Sequence, residues 1–222
     1  YRIGTAGDPC HDWGNALVAI RALRYSKKTP VIVTKHWIEL SDEHLSELAS
    51  LGAVINTSTS GLDSDAEIGH RVRQIQRIHS YGIRSVNRVV TCEYGESEFA
   101  RECKAKQDYL LSLTPVIDNP LRPCSSNPLV LKGDILVKKR KDSVGGGKIV
   151  SMHSPSVHLG KCDTCPDQCG VDTVGLPLPS PTASESKQIK LFDEKIEFKY
   201  VKSVIGSGYE NKKADIESCA ST

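Results

Sequence analysis

Three things are scarce in this 222-residue chain: aromatic side chains at 5%, methionine with a single copy, and any excess of one charge, Lys+Arg 29 against Asp+Glu 27 leaving +2. Each scarcity excludes something. With few rings, the core must be built on Ile, Val and Leu. The balanced charge lacks the polybasic footprint that demands nucleic acid or an anionic membrane as partner. No apolar run approaches the roughly 20 residues that span a bilayer, and no basic-then-apolar leader opens the chain, so no membrane partner is expected and the cytoplasm is the expected compartment. The chain opens at Tyr1 and its one methionine is Met152, from which a segment upstream of Tyr1 is expected.

What is present is an alternation of short β-branched runs with longer amphipathic stretches from Tyr1 to about Asn119, the pattern of repeated βα units. Strands are expected at Tyr1–Thr5, Pro30–Thr34, Ala53–Thr57, Val86–Thr91 and Pro115–Ile117. Between them, Trp13–Tyr25, Asp42–Leu51 and Asp65–Tyr81 carry apolar residues at helical spacing, as in Ile68, Val72, Ile75 and Ile78. Ser41 with Asp42 and Glu43 supplies an N-cap and an acidic first turn, and Gly52 and Gly82 fall where helix C-caps belong. Crossovers of this length give a parallel sheet, so the expected fold class is α/β, a partial parallel (β/α) barrel related to the TIM barrel, with an irregular C-terminal extension.

Three regions follow: a barrel domain over 1–119, an extension over 120–175, and a linker and tail over 176–222. Pro120, Pro123 and Pro128 break any long element in the second, where Leu129–Lys139 reads as one or two strands and Gly145-Gly146-Gly147 as a turn. The run from Pro177 to Ser186 is proline- and serine-rich and reads as an exposed linker. Leu191–Val204 alternates charged and apolar residues like a last strand pair, and Gly206 to Thr222 is expected to be disordered.

In a parallel βα array, ligands bind beyond the carboxyl ends of the strands. Those ends are polar here: the first strand ends in Gly4-Thr-Ala-Gly7-Asp8, the second in Thr34-Lys35-His36, the third in Asn56 to Asp63, and the fourth in Asn87-Arg88 and Thr91-Cys92-Glu93. Glycines let a ligand approach the backbone, hydroxyls hold a ribose or carboxylate, and Lys35 with Arg88 offers charge for an anionic group. Loops in this position are polar in any such fold. Four consecutive strands ending in ligand-type groups on one rim are what point to a site.

The runs Arg2-Ile-Gly-Thr-Ala-Gly-Asp-Pro9, Pro30-Val-Ile-Val-Thr-Lys35 and Val54-Ile-Asn-Thr-Ser-Thr-Ser-Gly-Leu-Asp63 resemble radical SAM proteins, in particular the spore-photoproduct-lyase-like branch. The resemblance covers Tyr1 to about Asn119. It implies a partial barrel in which S-adenosylmethionine chelates a [4Fe-4S] cluster and is cleaved reductively to a 5′-deoxyadenosyl radical, with electrons from a donor such as ferredoxin or flavodoxin and a substrate left unknown. It also implies that Gly4, Gly7 and Asp8 hold the methionine amino group and that Ser58, Ser60 and Arg71 hold ribose and carboxylate, with Lys35 and Arg88 completing the cofactor site. The family's CxxxCxxC, which binds the radical-generating cluster after the first barrel strand, is absent, and single Cys10 does not replace it. The motif is expected upstream of Tyr1, and the chain by itself is expected to be inactive.

The most specific local signal lies further on. Cys162, Cys165 and Cys169, in CxxCxxxC spacing, can converge on one metal, with His158, His153 or Cys124 as fourth ligand. Thiolates suit zinc and an auxiliary iron-sulfur cluster equally, so both stay open. His36, His70 and His79 are scattered and expected on helix surfaces or loops. Lys138-Lys-Arg-Lys141 is the one short run that would steer nucleic acid, and it lacks interleaved aromatics. Two other functions compete with the radical enzyme: a metal-stabilised binding or scaffold protein without catalysis, and a Schiff-base lyase or aldolase with Lys35 as nucleophile.

Overall fold

The computed structural model describes residues 2–4, 7–23, 28–113, 115–139, 149–159 and 168–171. Five strands form one all-parallel sheet: β1 (Arg2–Ile3), β2 (Val31–Thr34), β3 (Val54–Ser60), β4 (Arg84–Thr91) and β6 (Val116–Pro120), neighbours in space in the order β1-β2-β3-β4-β6. Ile32 lies opposite Ile55, and Ser60 opposite Val90, so the strands run in register with all carboxyl ends at one edge. The expected parallel α/β organisation is therefore present. Two small antiparallel ladders accompany it: β5 (Glu93–Tyr94) with β7 (Ile135–Leu136), and β8 (Lys138–Lys139) with β9 (Ile149–Val150).

Alternation along the strands decides which side chains face the helices. Ile32 on β2 and Ile55 on β3, both 0% exposed, pack in one cluster with Leu17 and Ile20 of α1 (Trp13–Leu23), Leu45 and Leu48 of α2 (Asp42–Ser50) and Ile78 of α3 (Asp65–Ser80). Val89 on β4, which shares the face of Ile55 by register, packs with Ile68 and Val72 of α3 and Leu110 of α4 (Glu98–Ser112). All four long helices thus cover the same face. Burying each Ile or Leu contributes about 1.5–3 kcal/mol as an upper estimate, which makes this face the main source of stability. The opposite face carries Val31, Val54, Asn56, Ser58, Ser60, Val86 and Arg88, and the described residues that lie across it are the short turn around Cys169.

The starts of α2 and α3 are capped by serines, as expected at Ser41. Ser41 accepts from the backbone of His44, and Ser64 with Glu67 forms a reciprocal capping box at α3. Three expectations need correction. β3 continues to Ser60 instead of ending at Thr57, so Ser58 to Ser60 belong to the strand and not to the loop after it. Leu129–Lys139 is not wholly extended: it opens with a helical turn, α5 (Pro128–Leu131), because Asn127 caps it and Pro128 is preorganised for a first helical position. α4 was not anticipated, since its buried stripe of Ala100, Cys103, Gln107 and Leu110 includes a polar residue. Gln107 earns that place by bonding both ways to the backbone of Cys92, accepting from its N–H at 2.7 Å and donating to its carbonyl at 3.0 Å.

No described helix is long and apolar enough to cross a membrane. Gly145-Gly146-Gly147, Cys162, Cys165, the run from Pro177 to Ser186, Leu191–Val204 and the residues after Gly206 lie outside the described residues.

Candidate functional site

At the carboxyl ends of β1 and β2 the chain is knitted by one carboxylate. Asp8 Oδ1 accepts from the Cys10 N–H at 3.0 Å and the Thr34 hydroxyl at 2.6 Å, while Oδ2 accepts from the Lys35 N–H at 2.6 Å. Burial alone would raise its pKa; the bonds from Thr34, Cys10 and Lys35 outweigh this and hold the carboxyl below its ordinary range. Gly4 is required beside it, because φ is +99° and a Cβ would meet the Val33 carbonyl at 2.6 Å. Gly7 is exposed, with nothing near its Cβ position.

His36 lies in the loop after β2, as expected, but it is 0% exposed and has φ 54°, an uncommon conformation for a residue other than glycine. Its backbone N–H donates to the Thr34 hydroxyl, its carbonyl contacts His70 Nε2 at 2.8 Å, and its Nε2 lies 3.1 Å from the Thr57 hydroxyl. Burial pushes its pKa down to about 3, so the ring is neutral. His36 Nδ1 is buried without a hydrogen-bond partner among the described residues. Nothing in the spacing of the sequence marks this residue, since only the strand alternation beyond Thr34 turns it inward.

After β3 a second carboxylate takes over. Asp63 accepts from the Ser60 N–H at 2.7 Å and is ion-paired to Arg71 of α3, whose side chain is 1% exposed. Arg71 Nε donates to the Lys35 carbonyl at 3.0 Å, and its guanidinium lies 4.9 Å from the centre of the Trp37 ring. Lys35 is exposed, with Nζ 5.5 Å from the same ring. Asp8, Lys35 and Arg71 are thereby joined into one internal network.

Ser58, Ser60 and Arg88 sit elsewhere, on the face that the helices leave open. Ser58 and Arg88 are register partners on β3 and β4. Ser60 donates to the Val90 carbonyl and accepts from the Leu62 N–H, whereas the Ser58 hydroxyl forms no hydrogen bond among the described residues. Arg88 donates to Asn119 Oδ1 at 2.9 Å and lies 3.9 Å from Cys169 Sγ. Asn56, fully buried below Ser58, donates to the Cys169 carbonyl, and its own Oδ1 is unpartnered. Arg84 completes the hold on this turn through the Val171 carbonyl at 2.8 Å.

Of the expected metal ligands, Cys169, His158, His153 and Cys124 are described and Cys162 and Cys165 are not, and among the described residues no group of three His, Cys, Asp or Glu side chains could hold a metal ion. His153 pairs with Asp118 at 3.0 Å, and Cys124 accepts from the Ser126 hydroxyl. No protein-family model, curated protein or solved structure matches the chain.

Proposed function

We propose that this chain is the cofactor-holding half-barrel of a radical SAM-type iron-sulfur enzyme, with S-adenosylmethionine seated on the open face of the sheet. The reading is carried by one observation: on that face Asn56 Oδ1 is buried without a hydrogen-bond partner among the described residues, next to the Ser58 hydroxyl, which forms no hydrogen bond among them, and the cationic Arg88. Buried polar atoms without partners are costly unless a ligand satisfies them. Sequential strand order with every long helix on one face supports a partial barrel, whose interior would be this face.

The fit is divided. A hydroxyl at Ser58 and a guanidinium at Arg88 suit the ribose and carboxylate of S-adenosylmethionine, which with its cluster supplies a 5′-deoxyadenosyl radical. Arg71 and Asp8, by contrast, serve the network inside the fold and act on the site by fixing Lys35 and the rim. The radical-generating cluster finds no ligand set in these residues: the sequence holds no CxxxCxxC, and Cys10, Cys92 and Cys103 are free buried thiols, the last two packed in one apolar cluster. No step is assigned to it here.

Equilibrium dialysis with S-adenosylmethionine tests the reading, first on this chain and then on a protein extended upstream of Tyr1 to include CxxxCxxC and reconstituted anaerobically. Weak binding by the first, and tight binding with 5′-deoxyadenosine formed by the second, are expected, with both lowered by Ser58→Ala and Arg88→Gln. An extended protein without the motif, or one that makes no 5′-deoxyadenosine, overturns it. The consumption of Asp8 and Arg71 by internal bonds favours a second reading, a metal-stabilised binding or scaffold protein, for which no form of the chain would bind S-adenosylmethionine saturably.

A further inference from the structure

We propose that the turn around Cys169 is a strap docked on the open face of the sheet, where it occupies the seat of the cofactor and must lift off before a ligand can enter. The competition rests on the reading of that face given above, whereas the docking stands on contacts of its own. Side chains from two strands hold the turn. Asn56 Nδ2 of β3 donates to the Cys169 carbonyl at 3.1 Å, Arg84 Nη1 of β4 donates to the Val171 carbonyl at 2.8 Å, and Arg88 Nη1 lies 3.9 Å from Cys169 Sγ. Arg84 is itself braced, donating through Nη2 to the Gly52 carbonyl at 2.9 Å.

The strap carries signs of a displaceable occupant. Cys169 and Gly170 are both left-handed, with φ 56° and 78°. That backbone is disfavoured for a residue with a Cβ, so the grip from β3 and β4 is what keeps Cys169 in it. Each hydrogen bond exchanged with water adds little net stability, and a segment held by a few of them opens far more readily than the core. The fit is also incomplete. The strap uses the donor of the Asn56 amide and leaves Oδ1 buried without a partner among the described residues, although Asn56 is 0% exposed.

A ligand that brings an N–H or O–H to Asn56 Oδ1 and an anionic group to Arg88 makes contacts the strap does not. Amino, hydroxyl and carboxylate groups on one small molecule meet that description. Such a ligand and the strap claim the same two side chains, so they exclude one another. The affinity observed is then the intrinsic affinity reduced by the fraction of molecules with the strap lifted, and while that fraction is small, any change that raises it strengthens binding by the same factor.

Iodoacetamide labelling of the full chain carrying Ser58→Cys reads the lifted fraction with no ligand present, because position 58 is 9% exposed and is the register partner of Arg88. Gly170→Val puts a β-branched side chain into left-handed backbone, and Arg84→Gln releases the Val171 carbonyl. Added separately, each should raise the labelling rate about fivefold or more. Cys10 and Cys92, each 1% exposed, should stay unlabelled in every protein, with circular dichroism as a second check of folding. Equilibrium dialysis of the same two substitutions with Ser58 restored should show affinity for S-adenosylmethionine raised by the factor seen in labelling. Unchanged labelling in both folded variants overturns the strap. Raised labelling with saturable but unchanged binding overturns the competition. If no protein binds S-adenosylmethionine saturably, the reading of the face as its seat falls and the competition with it, while the labelling result still decides whether the strap is docked.

Discussion

Replacing Asp63 by asparagine would strand a guanidinium inside the protein. Arg71 is 1% exposed at its side chain and Asp63 10%, so neither charge has bulk water to fall back on. Glu67 Oε1, 3.9 Å from Nη2 and 30% exposed, is too far and too wet to replace the lost carboxylate. Removing one partner of a buried pair costs about 3–5 kcal/mol. Asparagine keeps an acceptor for the Ser60 N–H, which puts the expected loss near the lower end, about 3 kcal/mol. For a chain of this size that lowers the thermal midpoint by roughly 6–12 °C. Arg71→Met removes the charge but also the bond to the Lys35 carbonyl, and the double variant should be more stable than the sum of the two losses allows, by about 1–3 kcal/mol. Urea unfolding of all four proteins at pH 7 measures the cycle. A loss below about 1 kcal/mol in Asp63→Asn, or strict additivity, would refute the reasoning that this pair is a closed internal device rather than a solvated contact.

Two further outcomes follow from the same region. His36, with its pKa pushed down to about 3 by burial, refuses a proton that the unfolded chain accepts below about pH 6.5. Stability should therefore be complete above pH 6.5 and fall as the pH drops from there toward 3, by up to about 1.4 kcal/mol per unit from this group; His36→Asn, which tolerates the left-handed backbone, should flatten the urea midpoint over that window, and an unchanged slope counts against the assignment. Gly61→Ala would drive a Cβ against the Cys103 carbonyl and to 2.8 Å from the Tyr94 hydroxyl, so a loss of about 2–3 kcal/mol is expected in calorimetry, and a neutral effect would mean that α4 can shift away from β3.

The sheet was legible because its cues are local. β-branched runs, apolar residues at helical spacing and a serine cap at Ser41 each act over a few residues, and the elements they predicted begin within two residues of the observed ones at β2, β3, β4, α2 and α3. α4 was not, because Gln107 occupies a core position for a reason that exists only in three dimensions, the backbone of Cys92. The site divides in the same way. Polar residues at the strand ends were visible, but whether each faces a ligand or the interior depends on alternation at the last residues of each strand. Arg71, a cofactor residue in what the resemblance implies, is a buried partner of Asp63. Asp118 carried no signal: a carboxylate near a proline acquires meaning only when the fold brings His153 to it.

The two edges of the sheet also bear on how this molecule behaves in company. An exposed strand edge offers unpaired N–H and C=O groups to any passing chain, and long apolar edges seed aggregation. Here one edge, β1, is two residues long, too short to template a stable pairing. The other, β6, reads Val-Ile-Asp-Asn-Pro: its second half carries a carboxylate and an amide, and it ends in a residue with no N–H to donate. A strand arriving along β6 would find its ladder interrupted at Pro120 and a charge to desolvate at Asp118. The residues that shape the rim at this end of the sheet thus also keep it from recruiting a second copy edge to edge, and replacing the acid and the proline together would remove both the charge and the break in the ladder.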